Sequence, residues 1–113
     1  MSSRRVVVTG MGIIAPVGND VETAWSQVVS GRSGIGPITD FDASQFSTTI
    51  GGSIRNFDVS QYIPPKEQKK MDPFIHFGIA AAQQAVAHAG LASAAYAPDR
   101  VGVAIGSGIV GLG

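Results

Sequence analysis

The sequence of 113 residues contains no cysteine and only two histidines. Without cysteine there is no disulfide framework, no thiolate nucleophile and no cysteine metal site. His76 and His88 are twelve positions apart, whereas a helical metal pair needs a spacing of about three or four. We therefore expect neither a metal ion nor a cofactor in these residues.

Charge is also scarce and evenly balanced. Eight basic and eight acidic residues give a formal net charge of zero, and charged residues make up 14% of the chain, against roughly 25% in an average soluble domain. No global field attracts nucleic acid or an anionic membrane. No apolar run approaches the roughly 18 residues of a membrane span. We expect a cytoplasmic protein that binds neither nucleic acid nor membrane.

What the sequence has in abundance is apolar residues, at 44%, and 15 glycines. Two β-branched runs predict strands that are buried on both faces, as in a sheet covered by helices, at residues 5–15 and 101–105. Gly10, Gly12 and Pro16 interrupt the first run, which favours a strand over a signal peptide. A weaker strand is predicted over residues 48–54. These elements indicate an α/β fold.

Helices are predicted where capping residues precede apolar periodicity. The first spans residues 21–30, with Asn19 or Asp20 as its N-cap and Gly31 at its end. Its apolar face includes Trp25, which we expect in the core. The clearest helix spans residues 74–89, after Asp72 and Pro73 and before Gly90. We expect a loop over residues 33–47 and a short turn or helix over residues 58–63. A short basic helix follows over residues 66–70.

Two stretches match the pattern G-x-G-x-x-[GA], at residues 10–15 and 106–111. A dinucleotide site needs the glycine turn to open directly into a helix. The first stretch fails this test, because the following helix begins only at Asn19 or Asp20. The second runs to the last residues of the sequence, so its helix cannot be checked. The alternative for both is tight backbone packing in crowded loops.

Three lysines share one helical turn. Lys66, Lys69 and Lys70 have i, i+3, i+4 spacing, which places their charges on one face. On pattern alone a solvated face is the favoured interpretation, and a docking surface for an acidic partner is the alternative.

Taken in order, these features resemble the β-ketoacyl-acyl carrier protein synthases of the elongating, type II class. The resemblance covers essentially the whole chain, and it is the order and spacing that are specific. The segments that carry it are residues 6–12, 16–18, Trp25, residues 31–35, 41–42, 66–72, 89–91 and 102–113.

The resemblance implies the thiolase fold, a layered α-β-α-β-α arrangement found as a homodimer, with residues 1–113 as the N-terminal part of a ketosynthase domain. It also implies decarboxylative condensation of malonyl-carrier protein with an acyl group held on a cysteine, assisted by two histidines. We expect no catalytic residue within residues 1–113, since neither His76 nor His88 matches those histidines. The chain is therefore expected to be an inactive N-terminal piece of a larger enzyme.

Two sites follow from the same resemblance. Lys66, Lys69 and Lys70 match a basic segment that binds acyl carrier protein. Gly108 and Ile109 match the wall of the acyl-chain pocket near the dimer interface, although Val110 stands where many members have glycine.

The sequence leaves several alternative functions open. A polyketide ketosynthase or a non-catalytic chain-length partner shares the N-terminal pattern, and the residues that distinguish them lie outside this sequence. A non-enzymatic carrier-protein-binding module and a nucleotide-binding α/β domain are rivals from other classes.

Overall fold

The structure is a computed structural model that describes residues 3–108. Its described part contains three α-helices, one two-stranded sheet and three short 3₁₀ turns. None of these helices is long and apolar enough to cross a membrane.

Helix α1, Val21–Val29, begins where the capping residues predict. The Oδ1 atom of Asp20 accepts the backbone N–H of Thr23 at 2.7 Å, which satisfies one of the free donors of the first turn. Glu22 adds negative charge near the positive end of the helix dipole. The helix ends at Ser30, and Gly31 follows with a φ of 73°, a conformation that favours glycine.

Helix α3, Pro73–Ala89, confirms the prediction of a long Ala-rich helix. Pro73 occupies the first turn, where its missing N–H is tolerated. Gly90 closes the helix with a φ of 64°. Asp72 has the predicted N-cap position, but its side chain makes no capping hydrogen bond. Between these helices lie α2, Pro65–Gln68, and a 3₁₀ turn, Val59–Gln61.

The described part of the sheet pairs β1, Ile35–Pro37, with β2, Ile50–Gly52, in antiparallel register. Ile35 faces Gly52, and Pro37 faces Ile50. Strand β2 confirms the weak strand at residues 48–54 in shortened form. Strand β1 lies in the segment predicted as a loop, because residues 34–37 hold two glycines and one proline, which are depleted in strands.

The two predicted buried strands do not form within residues 3–108. Residues 5–14 and 101–105 carry no strand hydrogen bonding, and Val6 and Val103 are 94% and 85% exposed. The β-branched runs bias the backbone towards extended geometry but cannot supply a neighbouring strand. A ladder needs a partner with free N–H and C=O groups, and the described residues provide none beside these runs.

The described core is small. Ala24, Ala43, Ile63 and Ala80 are the buried apolar residues. Trp25, predicted in the core, is 66% exposed, so that prediction is wrong for this chain. Its indole, with Met11 and Val28, lines an open apolar groove of about 530 Å³ along α1. Phe74, in the first turn of α3, is half-buried.

Gly10 and Gly12 explain how the N-terminal segment packs. A Cβ atom on Gly10 would meet the backbone oxygen of Ala85 and lie 2.8 Å from the Cβ of Ala89. A Cβ on Gly12 would meet the backbone oxygen of Ala81. The alanines at i, i+4 and i+8 form a flat helix face on which the glycine backbone lies. This confirms the crowding interpretation of the first glycine motif and corrects the nucleotide-binding alternative for it.

Candidate functional site: a basic turn held between two helical segments

The lysine-bearing segment starts from two prolines. Pro64 has a φ of −58° and a ψ of 143°, and Pro65 takes the first helical position of α2. The helix ends at Gln68, earlier than the predicted basic helix over residues 66–70. Asp72 precedes Pro73, and the residue before a proline avoids helical geometry, so the coil must open here.

Lys69 and Lys70 therefore occupy the turn that follows α2, whereas Lys66 lies in the helix. We call residues 66–71, which carry all three lysines, the basic turn. The Lys70 N–H donates to the Glu67 carbonyl oxygen at 3.1 Å, and the Met71 N–H donates to the Gln68 carbonyl oxygen at 3.3 Å. These i→i+3 bonds continue the coil as a tighter turn through Met71. All three lysines are exposed, so the structure leaves their ammonium groups in solvent as the spacing predicts.

The three lysine charges differ in whether a carboxylate lies close to them. The Lys70 ammonium lies 3.5 Å from Oε1 of Glu67, with both side chains about half-exposed. Within residues 3–108, neither Lys66 nor Lys69 has a carboxylate within 4 Å. An exposed pair of this kind contributes about 0–1 kcal/mol, so its main effect is to offset part of the positive potential.

The inner side of the turn is held by an amide and an imidazole. The Nε2 atom of Gln68 donates to the carbonyl oxygen of Ile63 at 2.8 Å and lies 3.4 Å from the Ser60 hydroxyl. The Nε2 atom of His76, in the first turn of α3, lies 3.1 Å from the carbonyl oxygen of Gln68. No pattern in the sequence marks these residues, because the contact joins two helices across a turn.

His88 and Gln84 connect α3 to the N-terminal segment instead. The Met11 N–H donates to Nδ1 of His88 at 3.0 Å. Oε1 of Gln84 accepts the Ile13 N–H at 3.1 Å. Neither histidine is beside a nucleophile, and no three His, Asp or Glu side chains converge on a metal-sized site in residues 3–108.

A polar cleft of about 470 Å³ lies between the start of α1 and the segment that precedes the basic turn. Asn19 and Arg55 form part of its lining. The Asn19 side chain donates to the Arg55 carbonyl oxygen at 2.7 Å, and Nη1 of Arg55 donates to the Gly34 carbonyl oxygen at 3.0 Å. The Arg55 guanidinium thus holds the β1 end of the cleft in place.

The second predicted site is only partly described. Gly108 is an exposed bend, and a Cβ atom added there would meet nothing within 4 Å. Ile109 and Val110 lie outside the described residues, as does most of the second glycine motif. The acyl-pocket assignment therefore stays a prediction.

Comparison with known proteins gives the chain its family. Residues 3–111 match the family model of the beta-ketoacyl synthase N-terminal domain. The chain is 53% identical over 112 residues to 3-oxoacyl-[acyl-carrier-protein] synthase 2 of Vibrio harveyi, and 46% identical to the protein of that name from Synechocystis sp.. Each alignment covers 99% of this chain and 27% of the relative. The chain thus spans about a quarter of the length of these relatives.

A solved structure agrees with the sequence matches. The ishigamide ketosynthase/chain length factor superposes with a TM-score of 0.68 at 34% identity, covering 79% of this chain and 22% of that one. The described helices and sheet fit the α/β class of that fold. The chain therefore belongs to the beta-ketoacyl synthase family and corresponds to its N-terminal domain.

Proposed function

We propose that these residues act as the N-terminal part of a ketosynthase domain in a 3-oxoacyl-[acyl-carrier-protein] synthase of fatty-acid elongation. The observation that carries the proposal is the 53% identity to such a synthase over 99% of the chain. We call the polypeptide that joins these residues to the rest of a synthase the complete synthase. It is proposed to be a cytoplasmic homodimer with acyl and malonyl carrier proteins as substrates.

The proposed reaction is a decarboxylative Claisen condensation. The bond between the malonyl carboxylate and its neighbouring carbon breaks, carbon dioxide leaves, and the electron pair forms a carbanion. That carbanion attacks an acyl thioester, a carbon–carbon bond forms, and the cysteine thiolate leaves. Since residues 1–113 contain no cysteine, the proposal assigns them folding, docking and pocket roles and no catalytic residue.

Exposed apolar surface supports a role within a larger structure. Val6, Val103 and Trp25 are each more than half exposed, and Trp25 borders the apolar groove along α1. Large exposed apolar surface marks interaction sites. The test compares two proteins with malonyl- and acyl-carrier protein as substrates. The complete synthase should release carbon dioxide and form the 3-oxoacyl product, whereas the 113-residue chain alone should form none. Product formation by the short chain, or none by the complete synthase, would contradict the proposal.

The basic turn is proposed to dock the carrier protein. Lys66, Lys69 and Lys70 are exposed on one short coil, and an acidic partner would be steered to it by long-range attraction. Replacement of the three lysines by glutamate in the complete synthase should raise KM for carrier-bound substrate at low salt and leave kcat nearly unchanged. An unchanged KM at low salt would remove the assignment. Arg4→Glu and Arg5→Glu, outside the turn, form a charge control.

Gly108 and Ile109 are proposed to border the acyl-chain pocket. A branched side chain at residue 109 would limit the chain that the pocket accepts, and a larger one would shorten it further. The Ile109→Phe variant of the complete synthase should therefore favour shorter acyl substrates, measured as the ratio of kcat/KM between a short and a long acyl chain. An identical chain-length profile would show that residue 109 does not border the pocket.

A polyketide ketosynthase or a non-catalytic chain-length partner is the second candidate, and one observation favours it. The superposed structure is a ketosynthase/chain length factor, although its 34% identity is lower than the 53% to the fatty-acid enzyme. The third candidate is a carrier-protein-binding module without catalysis. The carbon dioxide assay distinguishes it from a synthase, because such a module would bind carrier protein and release no carbon dioxide.

A further inference from the structure

We propose that Gln68 and His76 are positioning residues that fix the shape of the basic turn for its acidic partner. The inference rests on the proposed docking role of the lysines and adds two residues that hydrogen-bond to backbone oxygens near them. They act through the backbone of the turn and have no contact with the partner themselves.

The backbone hydrogen bonds of the basic turn hold its shape only weakly. Helix α2 has four residues and no side-chain cap at its start, and helices shorter than about 12 residues are marginal in water. Three positive charges within five residues repel one another at helical spacing, and Glu67 offsets only part of that repulsion. Side-chain hydrogen bonds to the backbone therefore add to what keeps the turn closed.

Gln68 supplies a restraint at the start of the coil. Its side chain extends back from the last residue of α2 and donates to the Ile63 carbonyl oxygen, which lies just before the two prolines. Ile63 is only 4% exposed, so it is one of the fixed points of the described core. The hydrogen bond thus ties the end of the short helix to a rigid residue at its beginning.

His76 supplies a restraint at the end of the coil. Its Nε2 atom lies 3.1 Å from the Gln68 carbonyl oxygen, which also accepts the Met71 N–H. A carbonyl oxygen only accepts, so the imidazole donates. Both the neutral Nε2–H tautomer and the protonated ring have this donor, so the contact survives a change of protonation. His76 can thus restrain the turn in either protonation state.

The two restraints should affect a different step of carrier-protein binding from the lysine charges. Charge steers the encounter, whereas a fixed geometry lowers the cost of ordering the lysines once the partner is bound. Loss of His76 leaves all three charges in place. It should therefore raise the dissociation rate of the carrier protein without altering the salt dependence of association.

The experiment uses the His76→Ala variant of the complete synthase and acyl carrier protein as the probe. We expect about a threefold to tenfold rise in the carrier-protein dissociation rate and in KM for carrier-bound substrate, with the salt slope of association unchanged. Gln68→Met, which removes the amide donor at similar length, should give the same pattern. His76→Gln restores an N–H donor and should recover most of the loss.

The same acyl group carried on pantetheine serves as the control, because that small thiol lacks the acidic surface of the carrier protein. Its kcat/KM should stay within about twofold of the parent value if the effect is confined to carrier docking. An equal loss with both substrates would show a general structural role and overturn the inference. So would an unchanged dissociation rate in His76→Ala, or an altered salt slope.

The lysine variants separate this inference from the proposed function. If the lysine substitutions lower carrier affinity and His76→Ala does not, the positioning role fails and the docking role stands. If the lysine substitutions have no effect, the docking role fails, and any effect of His76→Ala then has another cause, so the positioning role fails with it.

Discussion

The amide nitrogen of Gln84 donates to the backbone oxygen of Asn19 at 2.6 Å, although the two residues are 65 positions apart. The same nitrogen lies 3.0 Å from the Tyr62 hydroxyl, and the amide oxygen accepts from Ile13. One half-buried side chain on α3 therefore joins the N-terminal segment, the turn before α1 and the segment before the basic turn.

The Gln84→Met variant should destabilise the fold. Methionine has similar length and helix propensity but leaves the Ile13 N–H and the Asn19 carbonyl oxygen without partners. We expect a loss of about 1–3 kcal/mol, seen as a lower thermal midpoint of the complete synthase and faster amide hydrogen exchange at Ile13. Gln83→Met is the matched control, because Gln83 is exposed and makes a single bond to the Tyr62 carbonyl oxygen. Equal effects of the two variants would contradict the bridging role.

Gly12 and Gly78 should respond oppositely to alanine. A Cβ on Gly12 meets the backbone of α3, which cannot move aside, so Gly12→Ala should cost about 3 kcal/mol. Gly78 lies within α3 with nothing within 4 Å of an added Cβ, and alanine is the better helix former by about 1 kcal/mol. Thermal unfolding of the two variants of the complete synthase measures both. A tolerated Gly12→Ala would show that the N-terminal segment does not lie on α3 as closely as described.

Glu67 should weaken carrier docking in the parent sequence. Its carboxylate pairs with Lys70 and offsets part of the charge on the basic turn. Glu67→Gln should therefore raise the association rate of carrier protein about twofold at low salt and steepen its salt dependence. Glu22→Gln removes the same charge from α1 and serves as the control. If both variants accelerate association equally, the effect belongs to net charge and not to the turn.

Asp42 gives a pH-dependent prediction. The Ser44 hydroxyl, and then the Ser44 backbone N–H, hold the pKa of this exposed carboxyl below its ordinary value of 3.8. A pKa lowered by folding means that the charged form contributes stability above the unfolded pKa. That contribution is lost as the pH falls through the folded pKa. Ser44→Ala should raise the pKa towards the ordinary value, observed by carbon NMR of the carboxyl group. An unmoved titration would remove Ser44 as the cause.

Local features were predictable because their causes are local. Asp20 as a cap, Pro73 at the start of α3 and Gly90 at its end each follow from the geometry of a single helix terminus. The strands Ile50–Gly52 and Ile35–Pro37 pair with each other, so their separation in the sequence does not distinguish them. The sequence predicts only the first, because glycine and proline dominate the second.

Features that need a second segment were predicted less well. The apolar pattern predicts that Trp25 and Val6 are buried, yet both are exposed in the described part of the chain. An apolar face shows that a residue is fit for burial, but only the neighbouring segment decides whether burial occurs. The contacts of Gln68 and His76 left no pattern at all, since each joins a side chain to a backbone oxygen elsewhere in the fold.

By itself the sequence determined the ends of α1 and α3, the exposed lysines of the basic turn, and the membership of the family that the comparisons show. These depend on backbone sterics, capping and the linear order of motifs. Only the tertiary structure decided that Gly10 and Gly12 lie against α3, that Trp25 borders an open groove, and that His76 and Gln68 hold the basic turn. Such contacts depend on distances between segments far apart in the chain, which residue periodicity does not encode.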